Sequence, residues 1–357
     1  MNTNSYFTVQ CTKAGSLSLS INGSNGTPAT FYYWKNTVPN AARDNYTGTI
    51  TTSSTIQNIS MAVGDIFRFY RAETTRLSIE ADSGWNTRIH NTSGTEFRVS
   101  GNMASLIGFS ETIPTYCFRY LFYNTGIVDA SELELPWTTL SEWCFGRMFQ
   151  GSAKLTEPPY LPAETAVDSC YRLMFRECTA LKKLARMACK NLAFASHYCM
   201  YQMCTGLEKV TLPLFDNYAN QALSFMFNGC SGLKELTVEC PETLSTKNMF
   251  YCLAGGCMNL ERFTCLAKNS TANCTQSWLG NDASYAAANA TFIKHPDATF
   301  WPEDTSGIPS GWTVKNMNPQ VQSIDFNDAT GVYVKGNQKI VKIYGQNGTV
   351  LWEENTQ

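Results

Sequence analysis

Apolar positions between residues 117 and 236 recur with a period of 26 to 27 residues. The repeating segments begin at Cys117, Cys144, Cys170, Ser196 and Ala222. The steps between these positions are 27, 26, 26 and 26 residues. A fixed period in this range predicts a solenoid, in which each unit buries its apolar face only against its neighbours.

Three columns of the repeat hold apolar or small side chains, and we expect them to form its core. The core residues are Met148, Phe149, Met174, Phe175, Cys178, Met200, Tyr201, Cys204, Met226, Phe227 and Cys230. Cys170, Met174 and Cys178 follow one another at every fourth position, a spacing that predicts one face of a helix. Each unit is therefore predicted to contain a short helix, as at residues 170–175, then a corner at 177–180 and an extended piece at 181–184.

The segments on either side of the repeat alternate between apolar and polar residues. Residues 16–21, 67–70 and 76–80 show this period, which predicts a β-sandwich over residues 1–100. Strands are also predicted at 331–334, 340–344 and 349–352, with a hairpin turn at Asn347-Gly348. The predicted fold is thus α+β: a β-sandwich module at 1–100, a repeat solenoid with its cap at 101–316, and a small β module for anchoring or oligomerisation at 317–357.

The charge balance excludes several kinds of partner. The formal net charge is -2, and no run of basic residues occurs, so we expect no binding of nucleic acid. No apolar stretch approaches the roughly 18 residues of a membrane span, so we expect no insertion into a membrane. The composition is typical of a surface protein, with only 16% charged residues, yet the N-terminus has no basic and apolar export signal. This combination favours a virion protein that assembles in the host cytoplasm, with a bacterial cell-surface protein as the alternative.

The chain holds 14 cysteines, and many of them fall in the repeat columns. A column that accepts Cys, Ser, Thr or Ala favours a small buried side chain, and free cysteine behaves as a small hydrophobe. We therefore expect reduced, structural cysteines. If Cys178, Cys204 and Cys230 lie on a ladder of strands about 4.8 Å apart, they are within reach of disulfide formation, and this alternative stays open.

No motif in the chain indicates chemistry. Its three histidines have no nucleophile or carboxylate at a characteristic spacing, and His197 occupies an aromatic column of the repeat, which favours packing. There is no pair of cysteines at zinc-binding spacing and no phosphate-binding glycine motif, so we expect no metal and no cofactor. Glu132 and Glu134 flank Leu133, but nothing indicates a carboxylate pair across a cleft. The sequence predicts that the protein is not an enzyme.

Aromatic residues outside the repeat columns are the candidates for a ligand surface. Trp137, Trp143 and Tyr160 stand where the repeat does not require an aromatic side chain. Exposed aromatic faces serve as anchors for sugars and proteins. Packing against the N-terminal module is the alternative role for these three side chains.

The repeat resembles the BspA-like leucine-rich repeats, which occur in surface proteins of anaerobic gut bacteria and in their phages. Residues 170–181, with the sequence CYRLMFRECTAL, carry the resemblance, together with Leu161-Pro162-Ala163 and the tail at residues 301–314. It extends over residues 101–316 and implies a curved right-handed solenoid that binds or adheres. The family has no shared catalytic residues, and this chain departs from its pattern where Ser196 and Ala222 replace cysteine.

Together these observations predict a non-enzymatic surface protein of a phage particle, either a head or tail fibre or a decoration protein. Its solenoid would bind a glycan or protein on the host surface. Its other partners would be virion proteins, and assembly with further copies of itself stays open. The alternatives are a bacterial cell-surface adhesin and, less favoured, a glycan depolymerase.

Overall fold

The computed structural model describes residues 5–21, 30–37, 45–51, 58–73, 87–92, 94–270, 273–280, 287–304, 306–317, 324–327, 331–334, 342–344 and 350–353. The strand predicted at residues 76–80 and the turn predicted at Asn347-Gly348 lie outside these ranges. The chain divides into two compact units, Met1–Lys315 and Asn316–Gln357.

The regular secondary structure described in the first unit consists almost entirely of short strands. In chain order they are β1 Phe7–Lys13, β2 Gly15–Ile21, β3 Thr30–Lys35, β4 Gly48–Thr51, β5 Ile59–Met61, β6 Ile66–Tyr70, β7 Thr87–Asn91, β8 Glu96–Asn102, β9 Ile127–Glu134, β10 Lys209–Leu212, β11 Glu235–Val238, β12 Thr243–Leu244, β13 Arg262–Cys265, β14 Asn269–Ser270, β15 Thr291–Lys294 and β16 Thr313–Asn316. A 3-10 helix, Met103–Ile107, follows β8.

The second unit contains four described strands. They are β17 Ile324–Asn327, β18 Gly331–Val334, β19 Lys342–Tyr344 and β20 Val350–Glu353. β17 pairs with β18 and β19 pairs with β20, both antiparallel. The anchoring or oligomerisation role of this segment stays a prediction.

The N-terminal strands form two sheets. One has the order β4-β3-β6-β1-β8-β9 and the other the order β5-β2-β7. Alternation of side chains explains these strands: in β1 the side chains of Phe7, Val9 and Cys11 are buried, and those between them are half-exposed. All their described pairs are antiparallel except β8 with β9, which are parallel. The six-stranded sheet therefore passes from antiparallel to parallel pairing at β9.

Parallel pairing continues along the chain from β9. An isolated bridge joins Asp129 to Glu157, and further parallel bridges link residues 161 to 187 and 191 to 217. β10, β11, β13 and β15 then pair in parallel and in register. Lys209 lies opposite Glu235, the residue one repeat further along the chain. The sequence period is thus the distance along the chain between hydrogen-bonded neighbours.

Along the chain, the strand or bridge of each unit follows a turn ribbon, by which we mean residues 116–124, 143–151, 169–177, 195–203, 221–229 and 248–256. Every fourth residue in a turn ribbon has a positive φ; in one unit these are Ser169, Leu173 and Glu177, at 56°, 60° and 63°. Left-handed backbone at a residue with a side chain costs on the order of 1 kcal/mol. The same conformation recurs in all six ribbons, so it must be compensated by the hydrogen bonds around it.

Backbone N–H groups in a turn ribbon alternate between two kinds of acceptor. Arg172 and Met174 donate to the carbonyl at the third position before them, at 3.1 Å, which closes a tight turn. Leu173 and Phe175 donate instead to the next unit, to Tyr198 and Met200 at 2.9 Å. The strained left-handed residues belong to the second set, so their N–H groups hold neighbouring units together.

The predicted α+β fold class, with its β-sandwich, leucine-rich-repeat solenoid and small β module, is wrong. The described residues form a mostly-β fold of strands and turns, and their only helix is the short 3-10 segment. The helix predicted at residues 170–175 is a run of tight turns. A turn repeated at every fourth position also returns Cys170, Met174 and Cys178 to one face, so their spacing does not distinguish it from a helix. The left-handed residue in each turn excludes continuous α-helical backbone.

In the sixth turn ribbon, alignment by the Met-Phe sequence motif pairs the wrong residues with those of the preceding unit. Met249-Phe250 resembles the Met-Phe pair of earlier units, but Leu223 donates to Met249 and Phe227 donates to Leu253. These bonds align Met249 with Ala222 of the preceding unit. Leu253 and Ala254 therefore occupy the Met-Phe columns, and the repeat continues beyond the five units that the sequence motif indicates.

The columns assigned to the core are buried throughout, with every residue from Met148 to Cys230 in that set at 0% exposure. Their aromatic rings stack from unit to unit. Phe149 and Phe175 are 5.4 Å apart between ring centroids, with planes 5° apart, and Phe175 and Tyr201 are 5.3 Å apart at 9°. Such pairs contribute about 0.5–1.5 kcal/mol each beyond burial of their area.

The cysteine column has a hydrogen-bonding role that its small size alone does not indicate. The Sγ atoms of Cys178, Cys204 and Cys230 each donate to a backbone carbonyl of the preceding unit, at 3.0 to 3.1 Å. Ser152 makes the equivalent bond from Oγ to the carbonyl of Phe122 at 2.7 Å. The column therefore selects a small donor side chain, and its thiols bond to carbonyls instead of to one another.

We expect Cys204→Ala to be less stable than Cys204→Ser by about 1 kcal/mol, because only serine retains the hydrogen bond to the Phe175 carbonyl. Urea denaturation of the two variants and the wild type measures this difference. An alanine variant as stable as the serine variant would contradict a donor role for the column.

His197 makes stability depend on pH. Its ring is buried between Tyr171 and Phe215, and burial lowers its pKa to about 3. The neutral ring therefore contributes stability that is complete above the unfolded pKa of about 6.5 and is lost as the pH falls toward 3. We expect the wild type to lose about 2 kcal/mol between pH 7 and pH 5 through this residue.

The test is His197→Phe, which places in this column the residue that Phe118 and Phe145 already supply. Its free energy of unfolding should change less between pH 7 and pH 5 than that of the wild type. Equal changes in both proteins would rule out His197 as the source of this acid sensitivity.

Candidate functional site

Side chains of the first four turn ribbons that lie outside the core columns bring arginines and aromatic rings together. We call this set the arginine–aromatic cluster. Its members are Tyr116, Arg119, Tyr120, Trp143, Arg147, Arg172, Arg176 and Tyr198. Consecutive units are direct neighbours in the ladder, so residues a full repeat apart in sequence lie side by side.

Arg119 belongs to the first of these turn ribbons, and its side chain is fully buried. Its guanidinium carbon is 4.5 Å from the ring centroid of Trp143 and 4.9 Å from that of Tyr120. Arg88 and Arg147 also approach the Tyr120 ring, at 4.9 and 5.4 Å. Cation–π attraction offsets part of the mutual repulsion of these guanidinium groups.

Arg172 lies between two rings that belong to the units on either side of it. Its guanidinium carbon is 5.1 Å from the Trp143 centroid and 4.4 Å from the Tyr198 centroid. Its Nε is buried and has no hydrogen-bond partner among the described residues. A guanidinium whose planar faces are occupied by aromatic rings still presents its N–H donors at the edge of the plane.

Arg147 and Arg176 complete the positive side of the cluster. Each also has a buried Nε without a partner in the described part of the chain. Arg147 donates from Nη1 to the amide oxygen of Gln150 at 3.0 Å, and Arg176 forms an ion pair with Glu177 at 3.0 Å. Glu177 therefore balances the charge of Arg176, whereas Arg147 contacts an uncharged amide.

The charges of three arginines act on one thiol. Burial raises the pKa of Cys199 to about 12, and the positive charges of Arg172, Arg176 and Arg147 each act to lower it. Cys199 thus lies within electrostatic reach of all three arginines.

An aromatic row extends from the cluster across the following units. The ring centroids of Tyr198 and Phe225 are 5.4 Å apart, and those of Phe225 and Tyr251 are 5.1 Å apart. All three side chains are partly exposed. From Trp143 to Tyr251 the row crosses four unit boundaries, which at about 4.8 Å each gives a length of roughly 20 Å.

The structure separates the three predicted ligand-surface residues. Trp143 is half-buried within the cluster. Trp137 is only 2% exposed; it packs against Phe118, at 5.5 Å between centroids, and donates from Nε1 to the Ser110 carbonyl at 3.1 Å. The ring of Trp137 therefore does not face solvent, and these two partners lie within residues 101–316 and not in the N-terminal module.

Tyr160 lies in a different environment, a groove of about 420 Å³. It is 41% exposed, and the guanidinium of Arg186 is 4.7 Å from its ring. Glu132 and Glu134 line the same groove, and both project from β9. Two carboxylates on one strand lie on one side of the groove, whereas glycoside hydrolysis needs them on opposite sides of the scissile bond.

Sequence reasoning missed the four arginines of the cluster, because they appear scattered along the chain. The repeat itself carries a signal that could have found them. Arg119 and Arg172 occupy the same position in units two apart, and Arg147 stands one position further on in the unit between them. Alignment of the charged residues by unit, in the same way as the apolar ones, indicates a shared face.

No group of three or more His, Cys, Asp or Glu residues within the described ranges is placed to hold a metal ion. The same residues contain no helix with the length and apolar character needed to cross a bilayer.

Comparison with known proteins adds no constraint. No protein-family model matches the chain, and no curated protein or solved structure is significantly similar to it. The BspA-like resemblance of residues 101–316 therefore stays a prediction, and only the chain's own residues bear on its function.

One pair of cysteines differs from the others. Cys240 is partly exposed while the other thirteen are buried, and its Sγ lies 3.5 Å from that of Cys265. The hydrogen bond with Cys265 lowers the pKa of the Cys240 thiol. Reaction with alkylating agents proceeds through the thiolate, so both exposure and pKa favour Cys240.

We expect iodoacetamide to modify Cys240 before any other cysteine of the native protein, as measured by mass spectrometry of proteolytic peptides over time. Cys265→Ala should slow this reaction at a fixed pH, since it removes the hydrogen bond that lowers the pKa. Unfolded protein, in which all cysteines should react at similar rates, is the control. Equal labelling of several cysteines in the native state would contradict the expectation.

Proposed function

We propose that this protein is a non-enzymatic binding protein that attaches to a glycan or protein on a cell surface through the arginine–aromatic cluster. The observation that carries the proposal is the gathering of arginine and aromatic side chains on one face of the parallel ladder. Arginine, tryptophan and tyrosine are the side chains that contribute most to binding energy at interfaces. The aromatic row gives the same face an extended shape that fits a chain-like ligand.

Rigidity supports a binding role for this face. Each turn ribbon is hydrogen-bonded to the next through alternate backbone N–H groups, and stacked rings fill the space beneath. Side chains on such a support lose little conformational entropy when a ligand binds. The stacked position of Arg172 between Trp143 and Tyr198 further restricts it before binding.

The biological setting that we propose is the surface of a phage particle, where many copies of one protein act together. Linked copies convert weak single contacts into strong attachment. The low share of charged residues, 16%, agrees with a surface protein. A bacterial cell-surface adhesin is the alternative setting, and it would use the same face.

A glycan depolymerase is the competing activity, and the groove at Tyr160 is where it would act. The only observation in favour of this activity is that two carboxylates, those of Glu132 and Glu134, line the groove. Their position on a single strand argues against the acid and base geometry of a glycosidase. We therefore propose binding without hydrolysis.

The test is binding of the fluorescently labelled full chain to a panel of bacterial cells and to immobilised cell-surface glycans. We expect saturable binding that Trp143→Ala and Tyr198→Ala each weaken at least about tenfold, which is a loss of roughly 1.4 kcal/mol. Thermal unfolding of each variant confirms that it is folded.

Tyr160→Ala is the matched control, because Tyr160 is an exposed aromatic residue outside the cluster. It should bind as the wild type does. Loss of binding in the control alone would move the site to the groove, and absence of saturable binding to every cell and glycan would refute the proposed function. Mass spectrometry of purified phage particles distinguishes the virion setting from recovery on a bacterial surface.

A further inference from the structure

Arg147, Arg172 and Arg176 have more donor capacity than the described part of the protein uses. Each has a buried Nε with no hydrogen-bond partner there. An unpaired buried donor costs about 1–3 kcal/mol, and more for a charged group. These Nε atoms have almost no accessible surface, so a ligand would meet the half-exposed guanidinium groups at their other nitrogens, and Arg172 forms no ion pair within the described residues.

We propose that these three arginines bind the carboxylate or sulfate groups of an acidic polysaccharide, an inference that rests on the proposed function and names its ligand class. Guanidinium groups pair with planar anions through two parallel N–H···O bonds. The guanidinium carbon of Arg172 lies 5.1 Å from the ring centroid of Trp143 and 4.4 Å from that of Tyr198, and the side chain is half-exposed. The row from Tyr198 to Tyr251 supplies faces on which neighbouring sugar rings pack.

Charge around the cluster favours this ligand over nucleic acid. The exposed carboxylates Glu142 and Asp168 directly precede the turn ribbons of Trp143 and Ser169, and the whole chain has a formal net charge of -2. A nucleic-acid groove presents a continuous positive track to closely spaced phosphates. A short positive cluster that continues as an uncharged aromatic row fits a polymer in which sugar faces and anionic groups both make contact.

The experiment measures affinity of the full chain for paired probes by isothermal titration calorimetry at about 0.15 M salt, where long-range attraction between exposed charges is screened. The carboxylate probe is polygalacturonate and its neutral counterpart is the methyl-esterified polymer. The sulfate probe is dextran sulfate and its counterpart is dextran. A single-stranded oligothymidylate is the nucleic-acid probe.

We expect binding to at least one anionic polymer and at least about tenfold weaker binding to its neutral counterpart. Arg172→Lys keeps the charge but loses the planar fork, and it should weaken binding to the anionic polymer at least about tenfold. Arg147→Lys should act in the same direction, which guards against a folding defect in one variant. Lys182→Gln, which removes an exposed charge outside the cluster, should bind within about twofold of the wild type.

Several results would overturn the inference. These are equal binding of charged and neutral polymers, tighter binding of the oligonucleotide, wild-type affinity in Arg172→Lys, and an equal loss in Lys182→Gln. Failure to bind either anionic polymer would overturn it as well. The proposed function survives if the protein still attaches to cells through Trp143 and Tyr198, so the two failures are distinguishable.

Discussion

The cross-unit hydrogen bond of every second backbone N–H in the turn ribbons is the constraint on which the architecture depends. It requires corresponding segments of successive units to lie side by side. It also holds bulky residues such as Leu173 in left-handed backbone. No unit can satisfy these donors alone, because their acceptors belong to the next unit. Stability is thus shared between neighbours, and the rings and thiols beneath the ribbons add to it through stacking and bonds to carbonyls.

The same constraint creates the face that we propose as the binding site. Each four-residue turn directs some side chains inward and others outward, so the outward positions of successive units form columns about 4.8 Å apart. That spacing lets Arg172 contact rings from both neighbouring units. The binding that we propose for this face uses geometry that the fold already requires.

Sequence reasoning found the period and the core columns, because burial repeats whenever the backbone repeats. It failed at the backbone conformation of each unit. A face at i, i+4 and i+8 belongs equally to a helix and to a four-residue turn, and tyrosine, arginine and leucine carry no local preference for positive φ. It also failed at Trp137, since an aromatic residue outside the repeat columns packs inward or outward according to neighbours that spacing does not reveal.

The sequence by itself determined the equivalence of the five units that begin at Cys117, Cys144, Cys170, Ser196 and Ala222 and the side chains that they bury, since hydrophobic burial leaves a pattern in each of these copies. Only the tertiary structure decided that the units are turns instead of helices, because the hydrogen bonds that stabilise left-handed residues come from the next unit, almost a full repeat away along the chain. It also decided that Arg119, Arg147, Arg172 and Arg176 share one face. Because successive units stack on one another, these arginines lie close together in space. They are far apart in the sequence, so the sequence alone does not reveal this local concentration of positive charge.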